Sequence, residues 1–263
     1  MSKVAKVKHV DYTSSTARAL DLIGAAAQLP RDTLLIIKPN LTNSSPPPVT
    51  TSVDAVEAVY SYCRRHTQAE IVIGEGCGSG RTPDVFARLG YVELAERHGI
   101  RLVDFNDSPT VSVQNENALQ LKKFHIPKIV IDAFVISVPV LKDHSFTKTT
   151  VALKNMFGIA PSKFYAGGWN KSKLHSPSTD KSVVDVCLYK RPDLSVVDAS
   201  VALKGSHLSG RSVNTGCILA SFDPVAVDAV ASELLGHNPR RLEYLTLANG
   251  LLGSMDDVQI IDA

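Results

Sequence analysis

The chain has 263 residues, 44% hydrophobic and 21% charged, a balance that supports a packed core and argues against large-scale disorder. Lys and Arg number 28 against 26 Asp and Glu, so the net charge of +2 lacks the basic excess of a nucleic-acid binder. No apolar run approaches a membrane span, and MSKVAKVKHVDYTS lacks the core of a secretion signal, so a cytoplasmic protein with no membrane partner is expected.

In chain order, TLLIIK (Thr33 to Lys38) reads as a buried strand. SVDAVEAVYSYCRRH follows as a helix with Ser52 as N-cap and Val53, Val56, Val59 and Tyr60 on its apolar face. AEIVIGEG is a strand entering a glycine loop, and PDVFARLG and VELAERHG are helices each closed by glycine. IRLVDF is a strand, and the less regular stretch 110–125 is a small β excursion at an edge. AFVISVPV is a strand running to Leu141, and KTTVALKNMFG reads as a helix beginning near Thr149. KSVVDVCLYKRP is a helix stopping before Pro192; LSVVDAS and CILASFDP are strands; PVAVDAVASELLG and about 239–249 are helices. Strands alternating with helices predict an α/β fold, a mainly parallel sheet with helices on both faces, in one domain spanning 1–263.

The cysteines Cys63, Cys77, Cys187 and Cys217 are scattered with no CxxC pair. That spacing predicts reduced thiols and no iron–sulfur cluster or structural zinc of the chain's own. The long loops 40–51 and 162–179 are functional candidates, the second with Gly167-Gly168 as a hinge. Trp169 in that loop reads equally as a lid residue or an interface anchor, and the oligomeric state is left open.

Polar residues cluster where the apolar runs end. Lys38 and Asn40 follow LLII, Glu75 follows IVIG, Asp104 follows RLV, and Lys142, Asp143 and His144 follow VISVPVL. Asp198 follows SVV and Asp223 follows ILASF. In an open parallel sheet these ends lie along one edge, where ligands bind. Turn chemistry also favours Asp and Asn after strands, which is the plainer reading.

GEGCGSG (Gly74 to Gly80) is neither a Walker A loop nor an in-register GxGxxG. It is a tight turn or a ligand contact, with Arg81 beyond it as an anion partner. The segment after His144 points to an anion more directly. A helix from Thr149 would aim its free N–H groups at the strand-end cleft, with hydroxyls from Thr147, Thr149 and Thr150. Thr150 and Lys154 would share a helix face. Lys142, His144, Lys154 and, from the long loop, His175 complete a set suited to a carboxylate or phosphate. Asp198 and Asp223 are candidates to orient lysines or to hold a metal, Asp223 equally a helix N-cap before Pro224. Asp228 faces the cleft or packs between helices.

IKPN, PPPVTTSVDAVEAV, VIGEG, DAFVISVPVLKDHSFTKTTVALKNMFG, VVDAS and SFDPVAVDAVASELLG occur in that order over nearly the whole chain. Together they resemble the domain of unknown function 362 family. The resemblance implies a prokaryotic α/β protein whose relatives often carry a ferredoxin-like module with iron–sulfur clusters. This chain is similar to the stand-alone form, with a ferredoxin-like redox partner as the implied association. The resemblance marks Lys38, Asn40, Thr50, Thr51, Glu75, Lys142, His144, Lys154, Asn155, His175, Asp198 and Asp223.

Three functions are therefore expected in competition. The first is an enzyme on a small anion, with Lys142, His144 and Lys154 catalytic and isomerisation, proton abstraction or reduction as its chemistry. The second is a metal- or cofactor-dependent redox partner. The third is a non-catalytic anion-binding module.

Overall fold

The computed structural model describes residues 1–263. Its strands are β1 (Ser2–Lys8), β2 (Leu35–Pro39), β3 (Ile71–Glu75), β4 (Arg101–Asp104), β5 (Thr110–Gln114), β6 (Lys123–Pro127), β7 (Phe134–Val138), β8 (Val140–His144), β9 (Lys148–Thr150), β10 (Leu194–Lys204), β11 (Arg211–Ser221) and β12 (Val258–Asp262). Its helices are α1 (Tyr12–Leu22), α2 (Val53–His66), α3 (Thr82–Arg88), α4 (Tyr91–His98), α5 (Lys128–Ile131), α6 (Ala152–Asn155), α7 (Ser162–Tyr165), α8 (Thr179–Tyr189), α9 (Pro224–Leu234) and α10 (Glu243–Ala248).

One sheet runs β12-β1-β11-β10-β7-β2-β3-β4, with β8 beside β10 and β9 beside β8. Its centre is parallel: β2 pairs with β3 and β7, β3 with β4, and β10 with β7 and β8. β11 is antiparallel to β10 and to β1, and β5 and β6 form a separate antiparallel pair at the expected place. The fold is mixed α/β with a mainly parallel sheet.

Period-two alternation divides the core between the two faces. In β2, Leu35 and Ile37 join the cluster under α1, α2 and α4, while Ile36 joins the cluster under α8 and α10. Ile71 and Ile73 separate from Val72 in β3 in the same way. Strands covered on both faces read as unbroken apolar runs, which is why LLII and IVI stand out in the sequence. Each such side chain contributes about 1.5–3 kcal/mol by burial. The Ser52 hydroxyl accepts from Asp54 N, and Asp223 caps α9 by accepting from Val225 N and Ala226 N.

The structure departs from the sequence reading in three places. The run Phe134 to Leu141 is two strands, parted at Pro139, which has no N–H to give a ladder. The Pro139 carbonyl accepts from Asp198 N, and β8 continues along β10, so Lys142 and His144 lie inside a strand. No helix begins at Thr149. Thr149 and Thr150 belong to β9, which folds back on β8 with Lys142 opposite Thr150. The β-branched run Thr147, Thr149, Thr150 and Val151 favours this extended path. The third departure is an addition, since β1 and β12 extend the sheet beyond the expected strands and the helix α1 follows β1.

Candidate functional site

A cavity of about 450 Å³ opens at the C-terminal ends of β2, β3 and β8. That volume falls in the range of small-molecule sites. Period two sets which β8 residues reach it: Lys142 and His144 line the cavity, while Asp143 points to the other face and accepts from Gly205 N. There Asp143 also meets His237 at 2.7 Å.

The floor is a buried polar network. Lys38 donates to Glu75 Oε2 at 2.7 Å, Asn155 Oδ1 at 3.2 Å and the Pro39 carbonyl at 3.1 Å. Glu75 Oε1 accepts from Gly76 N. Asn155 donates to the Lys38 carbonyl and to Ser137 Oγ, and Asn40 Nδ2 reaches Asn155 Oδ1 at 3.3 Å. Gly158 closes the network from above. A Cβ there would collide with Glu75 Oε1 and fall 2.5 Å from Lys38 Nζ, so only glycine lets the turn Met156–Ile159 approach the ion pair.

Three lysines line the cavity with one carboxylate, Glu75, and a fourth, Lys38, sits behind it: Lys38 and Lys142 are 0% and 1% exposed, Lys171 5% and Lys154 9%. Lys142 donates to Asn40 Oδ1 at 2.6 Å and to the Val49 carbonyl at 2.7 Å. Burial pulls its ammonium down to about 7, against the opposing pull of Glu75. Lys171 donates to Asn106 Oδ1 and the Ala160 carbonyl, and burial lowers it to about 8. Burial also lowers Lys38, with Glu75 opposing. Lys154 differs, because its Nζ sits 3.7 Å from the centre of the Phe157 ring and donates no hydrogen bond within the chain. Burial, reinforced by the charges of Lys142 and Lys38 and opposed by Asp180, lowers it to about 7.

Three imidazoles form one side of the mouth. His144 stacks on His207 at 4.2 Å and lies parallel to His175 at 6.1 Å. His144 Nδ1 accepts from Phe146 N at 3.1 Å, which assigns the proton to Nε2 in the neutral ring. Burial first, then the charge of Lys154, lowers His144 to about 2. His175 and His207 are lowered to about 3 and about 4, burial again leading. All three rings are therefore neutral hydrogen-bonding groups at neutral pH. Phe146, Trp169 and Leu208 complete an apolar rim, each about half exposed.

Of the residues picked out in the sequence, Asn40, Glu75, Lys142, His144, Thr150, Lys154, Asn155 and His175 line the cavity, with Lys38 directly behind Glu75. The others are spent elsewhere. Thr50 Oγ1 donates to the Ser45 carbonyl, and Thr51 Oγ1 donates to the Val138 carbonyl while accepting from Asn40 N. Both brace the 40–51 loop instead of facing a ligand. Thr147 Oγ1 donates to the Thr149 carbonyl inside the hairpin turn. Arg81 is exposed beside Asp84 and is not part of the cavity wall. The metal candidates are structural: Asp198 binds Tyr12 and Ser200, and Asp223 binds Val225, Ala226, Ser254 and Ser2. No three His, Cys, Asp or Glu side chains are arranged to hold a metal ion.

The anticipated helix-end anion site is also corrected. The helix α6 starts at Ala152, and its first N–H groups are taken by the buried Asp228 carboxylate, from Ala152 N at 2.8 Å and Leu153 N at 3.3 Å. Asp228 is thus an internal cap, and the positive charge of the site comes from lysines. Lys171 and His207 were missed because both sit in irregular loops, where no periodicity marks an inward side chain. Thr150 keeps its place by a different route, from β9: its Oγ1 is buried in the cavity wall with no partner in the chain.

The architecture is that of an α/β protein with a polar cavity at the strand ends of a mainly parallel sheet. Within that class, the model described as Domain of unknown function (DUF362) matches residues 35–233, and the chain belongs to that family. It is 27% identical over 208 residues to the thylakoid-associated protein sll1697 of Synechocystis sp., covering 78% of this chain and 64% of that relative. The chain thus spans less than two thirds of the relative's length. In fold it is similar to the lactate racemase apoprotein of Thermoanaerobacterium thermosaccharolyticum, with a TM-score of 0.53 and 15% identity over 87% of this chain and 56% of that one. No helix is long and apolar enough to cross a membrane.

Proposed function

We propose that the protein is an enzyme that binds a small carboxylate- or phosphate-bearing molecule in the strand-end cavity and moves a proton on it. One observation carries this reading: three buried lysines, Lys142, Lys154 and Lys171, line a cavity whose one carboxylate, Glu75, is already paired with Lys38, so the site lacks negative charge that a ligand would supply. Buried lysines without counter-ions destabilise a fold, which makes a structural purpose a poor account of them. The Lys38–Glu75 pair is neutral overall and positions Asn155 and Asn40. Lys142 and Lys171 supply the positive field for the anion. Lys154, lowered to about 7 and without a hydrogen-bond partner in the chain, matches the requirement for a group that takes and returns protons at neutral pH. The neutral His144 offers Nε2–H to a substrate oxygen. The solved protein of similar fold is named for acting on lactate, itself a small carboxylate, which is in keeping with this ligand class.

Thermal unfolding with pyruvate, oxalate and phosphate at mildly acidic pH tests the reading. At least one anion is expected to raise Tm in a concentration-dependent way, and Lys142→Met is expected to weaken the shift while remaining folded. An unchanged Tm with every anion, or an equal shift in the variant, would count against the site.

A further inference from the structure

We infer that Lys154 is a covalent nucleophile, and that the substrate is a small carboxylate bearing an aldehyde or ketone, which the lysine captures as an imine. The inference rests on the reading of the cavity as an anion site and adds to it the substrate's reactive group. It starts from a difference among four otherwise similar side chains. Lys38, Lys142 and Lys171 each donate two or three hydrogen bonds to the chain, which occupy their protons and fix their positions. Lys154 donates none, although it is buried and lines the same wall. Its nitrogen has only the face of Phe157 beneath it. A lysine bonded to carbonyls and carboxamides is an anchor, whereas one buried beside Lys142 with no hydrogen-bond acceptor is freer to lose its proton and attack, although the Phe157 face and Asp180 favour its charged form. Its lowered basicity agrees with that geometry.

The neighbouring groups fit the chemistry. The Lys154 nitrogen lone pair forms a bond to the carbonyl carbon as the C=O π pair moves to oxygen. His144 Nε2–H, fixed by the acceptor role of Nδ1, is a donor available to that oxygen. The two amine hydrogens leave with the carbonyl oxygen as one water, and the C=N bond remains. No oxidant or reductant is consumed. Lys142 and Lys171 hold the carboxylate meanwhile, and the imine then draws electrons from the adjacent carbon when a proton is removed there.

Borohydride trapping tests this on the full chain. The protein is incubated with pyruvate, glyoxylate or acetylacetone, reduced where an imine is sought, digested and mapped by mass spectrometry. The expected result is a single adduct on Lys154 with at least one probe, absent from Lys154→Arg and Lys154→Met and retained in Lys148→Met, whose lysine is exposed at the start of β9. Thermal melts with oxalate and phosphate run beside it, since neither has a carbonyl able to form an imine. Stabilisation by oxalate or phosphate with no Lys154 adduct from any probe overturns the imine and leaves the anion site standing. Neither stabilisation nor adduct overturns both. An adduct on another lysine, or one that persists in both Lys154 variants, overturns the assignment to Lys154.

Discussion

Gly158 and Glu75 are in such close contact that the backbone of the 3-10 turn occupies the space a side chain would need, directly over the Lys38–Glu75 ion pair. The turn, the pair and the cavity floor therefore form one rigid unit, and a change at any of them is felt at the others.

Gly158→Ala is expected to push Glu75 off Lys38. The buried pair then loses its geometry, at about 3–5 kcal/mol if it breaks fully. Chemical denaturation should show the loss, with anion-induced stabilisation falling in parallel. A variant within about 0.5 kcal/mol of wild type would show that the floor is soft.

Glu75→Gln leaves the Lys38 ammonium buried without a counter-charge. Stability is expected to fall at neutral pH by on the order of 3 kcal/mol, and to recover in part as pH rises, because Lys38 can then discharge. Flat pH dependence of the difference between variant and wild type would contradict the pairing.

Lys142 and Lys154 give a signed pH effect on stability. Their folded values of about 7 lie below the ordinary lysine value of 10.5, so the native state sheds protons before the unfolded chain does. Stability contributed by these groups therefore rises with pH above about 7, and denaturation should be read between there and about 8.5, below the thiol range. Lys154→Met is expected to reduce that slope by up to about 1.4 kcal/mol per pH unit and to be more stable than wild type at pH 7. A slope equal to wild type would mean that Lys154 keeps its proton in the folded state across this range, so that burial does not lower it.

Thr150→Val keeps the shape of a β9 residue and removes a hydroxyl that bonds nothing in the chain. Stability should stay within about 0.5 kcal/mol or improve when read by chemical denaturation. A loss of about 1 kcal/mol or more would show that the hydroxyl is hydrogen-bonded in solution.

Much of the site could be read in the sequence because parallel strands buried on both faces announce their own ends. Asn40 and Glu75 fall at the close of LLIIKPN and IVIGE, and Ser52 and Asp223 precede helices as caps. The segment Val140 to Asn155 was harder. Lysine, threonine and alanine there suit helix and strand alike, and the tertiary partner decides: β10 holds β8, β8 holds β9, and Asp228 closes α6 from a helix 76 residues away. The edge of the sheet was illegible for the same reason. Ser2–Lys8 alternates lysine with valine and alanine and becomes a strand only when β11, far along the chain, pairs with it. Lys171 and His207 reach the cavity from loops, so their direction depends on contacts such as Lys171 with Asn106 and the Ala160 carbonyl.

Proton-linked calorimetry of anion binding tests the central claim most directly. Oxalate or phosphate is titrated into the protein at pH 8 in two buffers of different ionisation enthalpy. Lys142 and Lys154, near 7 when free, are driven back towards their charged forms by a bound anion, so protons should be taken up and affinity should fall as pH rises above about 7. Lys142→Met should take up fewer protons. Binding with no proton uptake and no pH dependence, or no binding by either anion, would contradict the account.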